Sequence, residues 1–290
     1  KSAMYMMNFM YLATRYCENC RNMTLTSDTS AMRPTECTDE LELCGFLGDY
    51  ASLLFASGST CIRLEKNVKR IAGAWGMTAE MSVFPRHIHL TVSSPDGLRQ
   101  RTKVVAAPDG PVSFSINAAL SRLSWDIHDC HLPLEAARRR LEAIRHTPPT
   151  NKWLLPVLVA LANAGFCGIF HGDWVAMAVV AVATYFGFIV RQTMTEHKID
   201  FRITVIVCSF VSAVLGAGDG LFHLGDTPDV AVSTSVLYLV PGIPFLNSFS
   251  DMIDRHYICS FGRLMNALVI TACLSLGLLA GMMLMRLDMF

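Results

Sequence analysis

The chain has 290 residues, 52% of them hydrophobic, and its 24 Lys and Arg balance its 24 Asp and Glu. This composition leans towards a membrane protein, and the absence of a strongly basic run argues against a nucleic-acid partner. The charges are unevenly placed: residues 1–152 carry 18 Lys and Arg and 15 Asp and Glu, whereas residues 153–290 carry 6 and 9. We therefore expect a water-soluble first half and a lipid-embedded second half.

Residues 1–37 are interpreted as an extension that is disordered or peripheral. The stretch from Lys1 to Ala13 has a basic residue and an apolar core, as a secretory signal does, but it lacks a clear small-residue cleavage site. A single Cys17-x-x-Cys20, even with Cys37 and Cys44 further on, does not predict a zinc site. Because the soluble half is predicted to face a reducing cytosol, we expect free thiols.

Residues 38–150 predict a small cytoplasmic α+β domain. Its expected helices are Thr38–Ser57, Thr60–Trp75, Ser115–Trp125 and Leu134–Arg145, and its expected strands lie near Glu80–Phe84, His87–Ser93 and Leu98–Ala106, the last two joined by a Pro-Asp-Gly turn.

The helix Thr60–Trp75 has the clearest amphipathic pattern. Glu65 can pair with Lys69 at i,i+4, and Gly76 can end the helix. The apolar positions share one buried face, and the charged positions point elsewhere. The apolar set is Leu64, Val68, Ile71 and Trp75, and the charged set is Arg63, Glu65, Lys66, Lys69 and Arg70.

Two histidine groups are candidate metal or catalytic sites. His87 and His89 alternate on one predicted strand and share a face, and the segment from His128 to His131 is rich in metal-ligand types. Neither has a further ligand motif that fixes geometry, and the sequence has no phosphate-binding loop, no G-x-S-x-G and no HExxH. We expect no enzyme activity, no cofactor and no metal.

Residues 151–290 predict a transmembrane domain with five spans. The first two apolar runs, of 18 and 17 residues, are each just long enough to cross about 30 Å of hydrocarbon. In order the five runs are Trp153–Phe170, Trp174–Val190, Ile203–Ala217, Val230–Asp251 and Leu264–Met285.

The loop charges predict the orientation of these spans. The positive-inside rule places three groups of cations in the cytoplasm, which makes the amino-terminal domain cytoplasmic and the carboxyl terminus external. The groups are Arg138, Arg139, Arg140, Arg145 and Lys152; Arg191, Lys198 and Arg202; and Arg255 and Arg263. The opposite loops contain no Lys or Arg and hold four acids: Asp173, Asp219, Asp226 and Asp229.

Small and polar residues inside the spans were also considered. Gly277 and Gly281 form a G-x-x-x-G motif, which is typical of a helix contact face and would here face a partner protein, although such patterns often arise by chance in apolar helices. Asn163 and Thr184 are isolated polar residues that could line a path, and we expect them to pair with backbone instead.

Three segments resemble the threonine/serine exporter family, and in particular the amino-terminal component of its two-protein members, which are associated with dicarboxylate (succinate) export. They are "SGSTCIRLEKNVKRIAGAWG" (57–76), "GIFHGDW" (168–174) and "LVPGIPFLNSFSDMI" (239–253). The most specific parts are Arg63, Glu65, Arg70 and Gly76 in the first segment, and Pro241, Gly242, Pro244, Asn247 and Asp251 in the third.

The resemblance implies a cytoplasmic domain followed by about ten spans, so a chain with five is expected to need a second small membrane protein. It implies an exporter of a small carboxylate-bearing metabolite in a bacterial inner membrane, embedded in the lipid bilayer, with assembly into homo-oligomers left open. Without an ATP-binding motif in these residues, coupling would come from the membrane potential or a proton gradient.

The prolines of the third segment are expected to break the fourth span near its middle. A broken helix leaves amides and a positive dipole end that could receive a substrate carboxylate, with Asn247 as a hydrogen-bond donor and Asp251 as a group for proton coupling or gating. The alternative is a helix packing kink or the end of the fourth span, with Asp251 a capping residue at the cytoplasmic surface beside Arg255. Rival functions are a membrane-anchored enzyme and a regulatory or scaffold protein.

Overall fold

A computed structural model describes residues 40–108, 110–147, 151–218, 220 and 225–285. The extension 1–37, with Cys17, Cys20 and Cys37, lies outside these residues, as do Asp219 and Arg286. The chain divides into two compact units between His146 and Thr147.

The first unit is a three-stranded antiparallel sheet with four helices. The helices are α1 (Glu40–Ala56), α2 (Cys61–Ala74), α3 (Phe114–Cys130) and α4 (Leu134–Arg145), and the strands are β1 (Thr78–Val83), β2 (His87–Ser93) and β3 (Gln100–Ala106), in the spatial order β1-β2-β3. The predicted α+β elements are thus present, with boundaries that differ from the predicted ones by a few residues.

One face of the sheet belongs to the core of this unit. Ile88, Leu90 and Val92 of β2 are fully buried, while His87 and His89 alternate with them and are exposed. Helix α1 packs on β2 and β3, and α2 packs on β1. Each fully buried large apolar side chain stabilises the fold by roughly 1.5–3 kcal/mol relative to an exposed one.

Helix α2 follows the predicted pattern. Leu64, Val68 and Ile71 are fully buried, and the predicted Glu65–Lys69 ion pair is present on the outer side. Gly76 has φ +73°, and the Met77 amide donates to the Ala72 carbonyl at 3.0 Å, which closes the helix end as a Schellman motif. The interpretation of Gly76 as a helix stop is therefore confirmed.

The second unit is entirely helical in the part that the structure describes. Its helices are α5 (Leu154–Ile169), α6 (Trp174–Glu196), α7 (Phe201–Gly216), α8 (Pro228–Ser235), a 3₁₀ turn (Leu237–Leu239), α9 (Gly242–Ile253) and α10 (Tyr257–Leu284).

Two of these helices, α6 and α10, are long and apolar enough to cross a membrane. A third candidate is the bent pair Pro228–Leu239 and Gly242–Ile253, and α5 and α7 are shorter apolar helices of 16 residues. At about 1.5 Å per residue, 16 residues extend roughly 24 Å, which is less than a typical hydrocarbon core. The count of five spans therefore stays a prediction.

The second unit buries small residues and exposes large apolar ones. Trp174, Ile169 and Leu246 are 84%, 70% and 70% exposed, whereas the buried set is rich in Ala, Gly, Ser, Thr and Cys. Small residues let helix backbones approach closely, and large apolar side chains face outward where the solvent is lipid. This distribution agrees with a membrane-embedded unit.

The G-x-x-x-G motif contacts a helix of its own chain. A Cβ added at Gly277 would overlap the Ile206 carbonyl of α7, and one added at Gly281 would lie 2.7 Å from the Ala213 Cβ. The expectation that these glycines face a partner protein is wrong, because the close approach of α7 and α10 already uses them.

Candidate functional site at the helix break

The predicted break in the fourth apolar segment is present. The segments Pro228–Leu239 and Gly242–Ile253 meet at an angle of 62°, with Val240 and Pro241 between them. The two arms have nearly equal lengths, so the break lies near the middle of the segment.

The two prolines account for the break. Pro241 and Pro244 supply no amide hydrogen, and a proline ring also clashes with the preceding turn. Helical pairing is replaced by short-range bonds: the Val240 amide donates to the Leu237 carbonyl at 3.1 Å, and the Gly242 amide donates to the Val240 carbonyl at 2.8 Å. The chain resumes a helix when the Phe245 amide donates to the Pro241 carbonyl at 3.2 Å.

The predicted site residues take distinct positions around the start of α9. Pro241 is buried and precedes the helix, Gly242 is its first residue, and Pro244 lies in its first turn as expected. A Cβ built at Gly242 would meet nothing within 4 Å, so the backbone there is open to close approach. Asn247 is half-buried one turn further on.

Helix α9 turns its polar side inward. Ser248 and Asp251 are its buried residues, while Leu246, Phe249 and Ile253 are exposed. The Ser248 hydroxyl donates to the Ser260 carbonyl of α10 and the Ser260 hydroxyl donates to the Ser248 carbonyl, both at 2.8 Å. These two bonds fasten α9 to α10.

Asp251 is fully buried and forms an ion pair with Arg263 of α10, with Oδ2 2.8 Å from a guanidinium nitrogen. Arg263 lies within α10, which begins at Tyr257 and not at the predicted Leu264. Arg255, in contrast, is an exposed turn residue with φ +66°. The alternative that Asp251 caps its helix beside Arg255 at the surface is therefore wrong.

The sequence does not single out Arg263 as a site residue, because the charge pattern places it in a loop. The signal that could have found it is the mostly apolar stretch from Tyr257 to Phe261, which extends the last helix backwards past Arg263 and places a cation inside an apolar helix.

A second polar group lies directly before the break. Tyr238, in the 3₁₀ turn, shares a hydrogen bond of 3.0 Å with the Ser212 hydroxyl of α7. Gly187 of α6 contacts both hydroxyls, and a Cβ at this position would overlap them. The glycine therefore makes room for a hydroxyl pair between α6, α7 and the break.

Asn163 joins three helices from a buried position. Its side-chain amide donates to the Thr184 hydroxyl of α6 at 2.6 Å and to the Thr234 carbonyl of α8 at 3.0 Å. The expectation of backbone pairing is confirmed for Asn163, and Thr184 is its second acceptor. Because Thr184 precedes Gly187 by about one turn and Thr234 precedes Tyr238 by about one turn, the two polar groups are neighbours.

The arginines of the first unit are not directed only to solvent. Arg63 donates to the Asn117 side chain at 3.0 Å, and Arg70 donates to Asn67 at 2.9 Å and to Ser124 at 2.8 Å. The guanidinium carbon of Arg70 also lies 3.6 Å from the centroid of the Trp125 ring. Both arginines lie off the buried apolar face, and α3 brings polar side chains against them there.

The two histidine groups remain simple surface features. His89 packs beside the Phe84 ring, and the His128 ring lies 2.8 Å from the Asp129 carboxylate. In the described part of the chain, no third ligand side chain joins either group closely enough to complete a metal site.

Comparisons with known proteins show the family. The sequence profile of the threonine/serine exporter family, ThrE, matches residues 46–285. The chain is similar to two proteins named "Probable succinate transporter subunit YjjP": 30% identity over 132 residues with that of Klebsiella aerogenes (45% of this chain, 51% of the relative), and 28% over 130 residues with that of Escherichia coli (43% and 50%).

It is also 24% identical over 174 residues to the "Probable threonine/serine exporter" of Mycobacterium tuberculosis, covering 57% of this chain and 31% of that protein. The chain spans about half the length of the two succinate relatives that it matches. No solved structure matches it. With a family profile extending over most of its length and apolar helices of membrane-spanning length, the chain belongs to the threonine/serine exporter family.

Proposed function

We propose that the chain is a membrane subunit of a secondary exporter that carries a small carboxylate-bearing metabolite, threonine or serine or a succinate-like dicarboxylate. The observation that carries this proposal is the break at Pro241–Gly242 within an apolar segment, in a chain of an exporter family. Unpaired backbone is costly in lipid, by several kcal/mol per group, so such a break belongs where protein or a watery cavity covers it.

The start of α9 suits an anionic group. A helix amino terminus carries amide hydrogens and the positive end of the helix dipole, equivalent to roughly half an elementary charge. Gly242 has no side chain, and the space beside it is open, so a carboxylate can approach the Ile243 amide. Asn247, one turn on, supplies an amide for a second hydrogen bond.

The partners of the proposed exporter are a second small membrane protein and the lipid bilayer of the bacterial inner membrane, with the first unit on the cytoplasmic side. Two relatives carry "subunit" in their names, which supports a complex of two components. Further copies of the same chain are a second way to complete the transporter. The energy would come from the membrane potential or a proton gradient.

Export can be tested in cells that lack this chain. We expect succinate or threonine to accumulate inside, and efflux to return only when both components are expressed. Efflux restored by this chain without any second component would contradict the two-component proposal, and unchanged metabolite levels in the deletion strain would contradict export.

The site can be tested in the same cells with Asn247→Ala and Asp251→Asn. Each variant is expected to lower efflux at least tenfold, since both alter the polar side of α9. Asn266→Ala is the matched control, because Asn266 is an exposed asparagine of α10. Normal efflux from both test variants would exclude these two residues from transport and would favour the interpretation of the break as a packing kink.

A further inference from the structure

The ion pair between Asp251 and Arg263 has no evident value for stability. Burying two charges costs several kcal/mol per ion, and replacing such a pair by apolar residues is often neutral or stabilising. Ionisable residues inside apolar helices are accordingly functional candidates together with their partners.

The hairpin of α9 and α10 is fastened by other bonds. The reciprocal Ser248–Ser260 hydrogen bonds join the helices, and the His256 amide donates to the Asp251 backbone carbonyl at 2.8 Å. The Asp251 side chain can therefore leave Arg263 without releasing the hairpin.

The two partners differ in access. The Arg263 side chain is 15% exposed and the Asp251 side chain is fully buried. The guanidinium nitrogen that faces Asp251 is itself buried, so the exposed fraction belongs to the rest of the Arg263 side chain. An external anion would therefore meet Arg263 before Asp251, and a guanidinium binds carboxylates through a planar fork of N–H donors.

We propose that Arg263 binds a substrate carboxylate at the Asp251 end of α9, roughly 12 Å along the helix from the Ile243 amide, and that Asp251 is its internal competitor. In the resting state the Asp251 carboxylate is paired with the Arg263 guanidinium. The substrate carboxylate displaces Asp251 when it binds. This inference rests on the proposed function, since it assumes a carboxylate-bearing substrate, and it assigns the carboxylate to a specific side chain.

The test is ligand binding by the purified full chain in detergent micelles, measured by calorimetry with succinate, with L-threonine, and with the uncharged diamide of succinic acid. We expect Asp251→Asn to bind succinate about tenfold more tightly, because the competitor has lost its charge. Arg263→Gln should bind at least tenfold more weakly, and Arg263→Lys should fall between. The diamide should not bind.

Two further variants separate recognition from folding. Asp251→Asn combined with Arg263→Gln leaves no unpaired buried charge, so its unfolding midpoint should stay near that of the wild type while succinate binding is lost. Arg255→Gln changes the exposed arginine of the same hairpin and should bind like the wild type.

The outcomes distinguish the two proposals. If Arg263→Gln or the double variant binds succinate like the wild type, the role of Arg263 is overturned and the proposed function stands. A folded Asp251→Asn that binds more weakly than the wild type would show that Asp251 is not a competitor. If the wild type binds neither succinate nor threonine, carboxylate recognition by this chain fails, and this inference fails with it.

Discussion

In the second unit, buried hydroxyl and amide groups decide which residues fit at neighbouring positions. The apolar pattern of the sequence does not reveal these positions. Gly187 is an example, because it contacts the hydroxyls of Ser212 and Tyr238. A glycine in a helix interior costs roughly 0.5–1 kcal/mol relative to alanine, so its presence in α6 needs a packing reason. The hydroxyl pair provides it.

Gly187→Ala is expected to destabilise the chain by about 1–3 kcal/mol, because the new methyl group overlaps both hydroxyls. Removing the Tyr238 hydroxyl should relieve part of the overlap, so Gly187→Ala should cost less in a Tyr238→Phe background. Thermal unfolding in detergent measures both. Gly165→Ala is the control, since a Cβ there meets nothing within 4 Å. Equal costs in the two backgrounds would contradict the contact.

Asp173 is a residue whose charge matters at the turn between α5 and α6. Hydrogen bonds from the Ala176 and Asp226 amides hold the pKa of the Asp173 carboxyl below its usual value. A lowered pKa means that the folded chain favours the carboxylate. The stabilisation is therefore complete above about pH 4, the usual aspartate value, and is lost as the pH falls through the lower folded value.

We expect Asp173→Asn to lower the unfolding midpoint at pH 7 and to have a smaller effect at pH 3, which lies below the usual aspartate pKa, so that part of the stabilisation by the charge is already lost. The measurement is thermal unfolding of both proteins at the two pH values, with Asp229→Asn, an exposed acid in the first turn of α8, as the control. A difference between wild type and variant that is the same at both pH values would exclude a role for the charge.

At the scale of elements, α7 and α10 pack closely enough for their backbones to touch. Gly277 and Gly281 lie one turn apart and bring the α10 backbone against Ile206 and Ala213 of α7. The Ser209 hydroxyl donates to the Leu274 carbonyl at 2.8 Å across the same contact. Close packing of this kind replaces the hydrophobic effect, which does not drive helix association in lipid.

Gly277→Ala should therefore destabilise the isolated chain by about 1–3 kcal/mol, since a methyl group there overlaps the Ile206 carbonyl. The unfolding midpoint of the purified chain without any partner is the measurement, again with Gly165→Ala as the control. If the variant without a partner had the unfolding midpoint of the wild type and lost only its binding to a second component, the motif would instead form the contact with that partner.

The elements were predictable where the sequence carries a local cause. The apolar period of α2 and its glycine end predict the helix, and Pro241 and Pro244 predict the break, because each acts within a few residues. The ion pair of Asp251 was not predictable, since nearness in sequence favours Arg255 and the hairpin brings Arg263 instead. The polar side of α3 that meets Arg63 and Arg70 is likewise set by packing between helices.

At the scale of the whole molecule, the bend of 62° allows two arrangements of the segment 228–253. A broken span carries the chain across the bilayer, whereas a re-entrant loop returns it to the side from which it entered. In a broken span, the turn near Asp226 and the turn near Arg255 lie on opposite sides of the bilayer. In a re-entrant loop, they lie on the same side. The loop charges favour the broken span, because the turn near Asp226 holds no Lys or Arg, whereas the turn at the other end of the segment carries Arg255.

The arrangement can be measured with a short protease-cleavable tag inserted in three variants of the full chain: after Lys198, after Asp226 and after Arg255. All three positions are exposed turn residues, and Lys198 and Arg255 have positive φ, as turn positions often do. With a broken span, protease added outside intact spheroplasts should cut only the Asp226 tag, and all three should be cut after lysis. If the Asp226 and Arg255 tags are both cut, or both protected, in intact spheroplasts, the segment is a re-entrant loop. The proposed count of five spans would then fall to four.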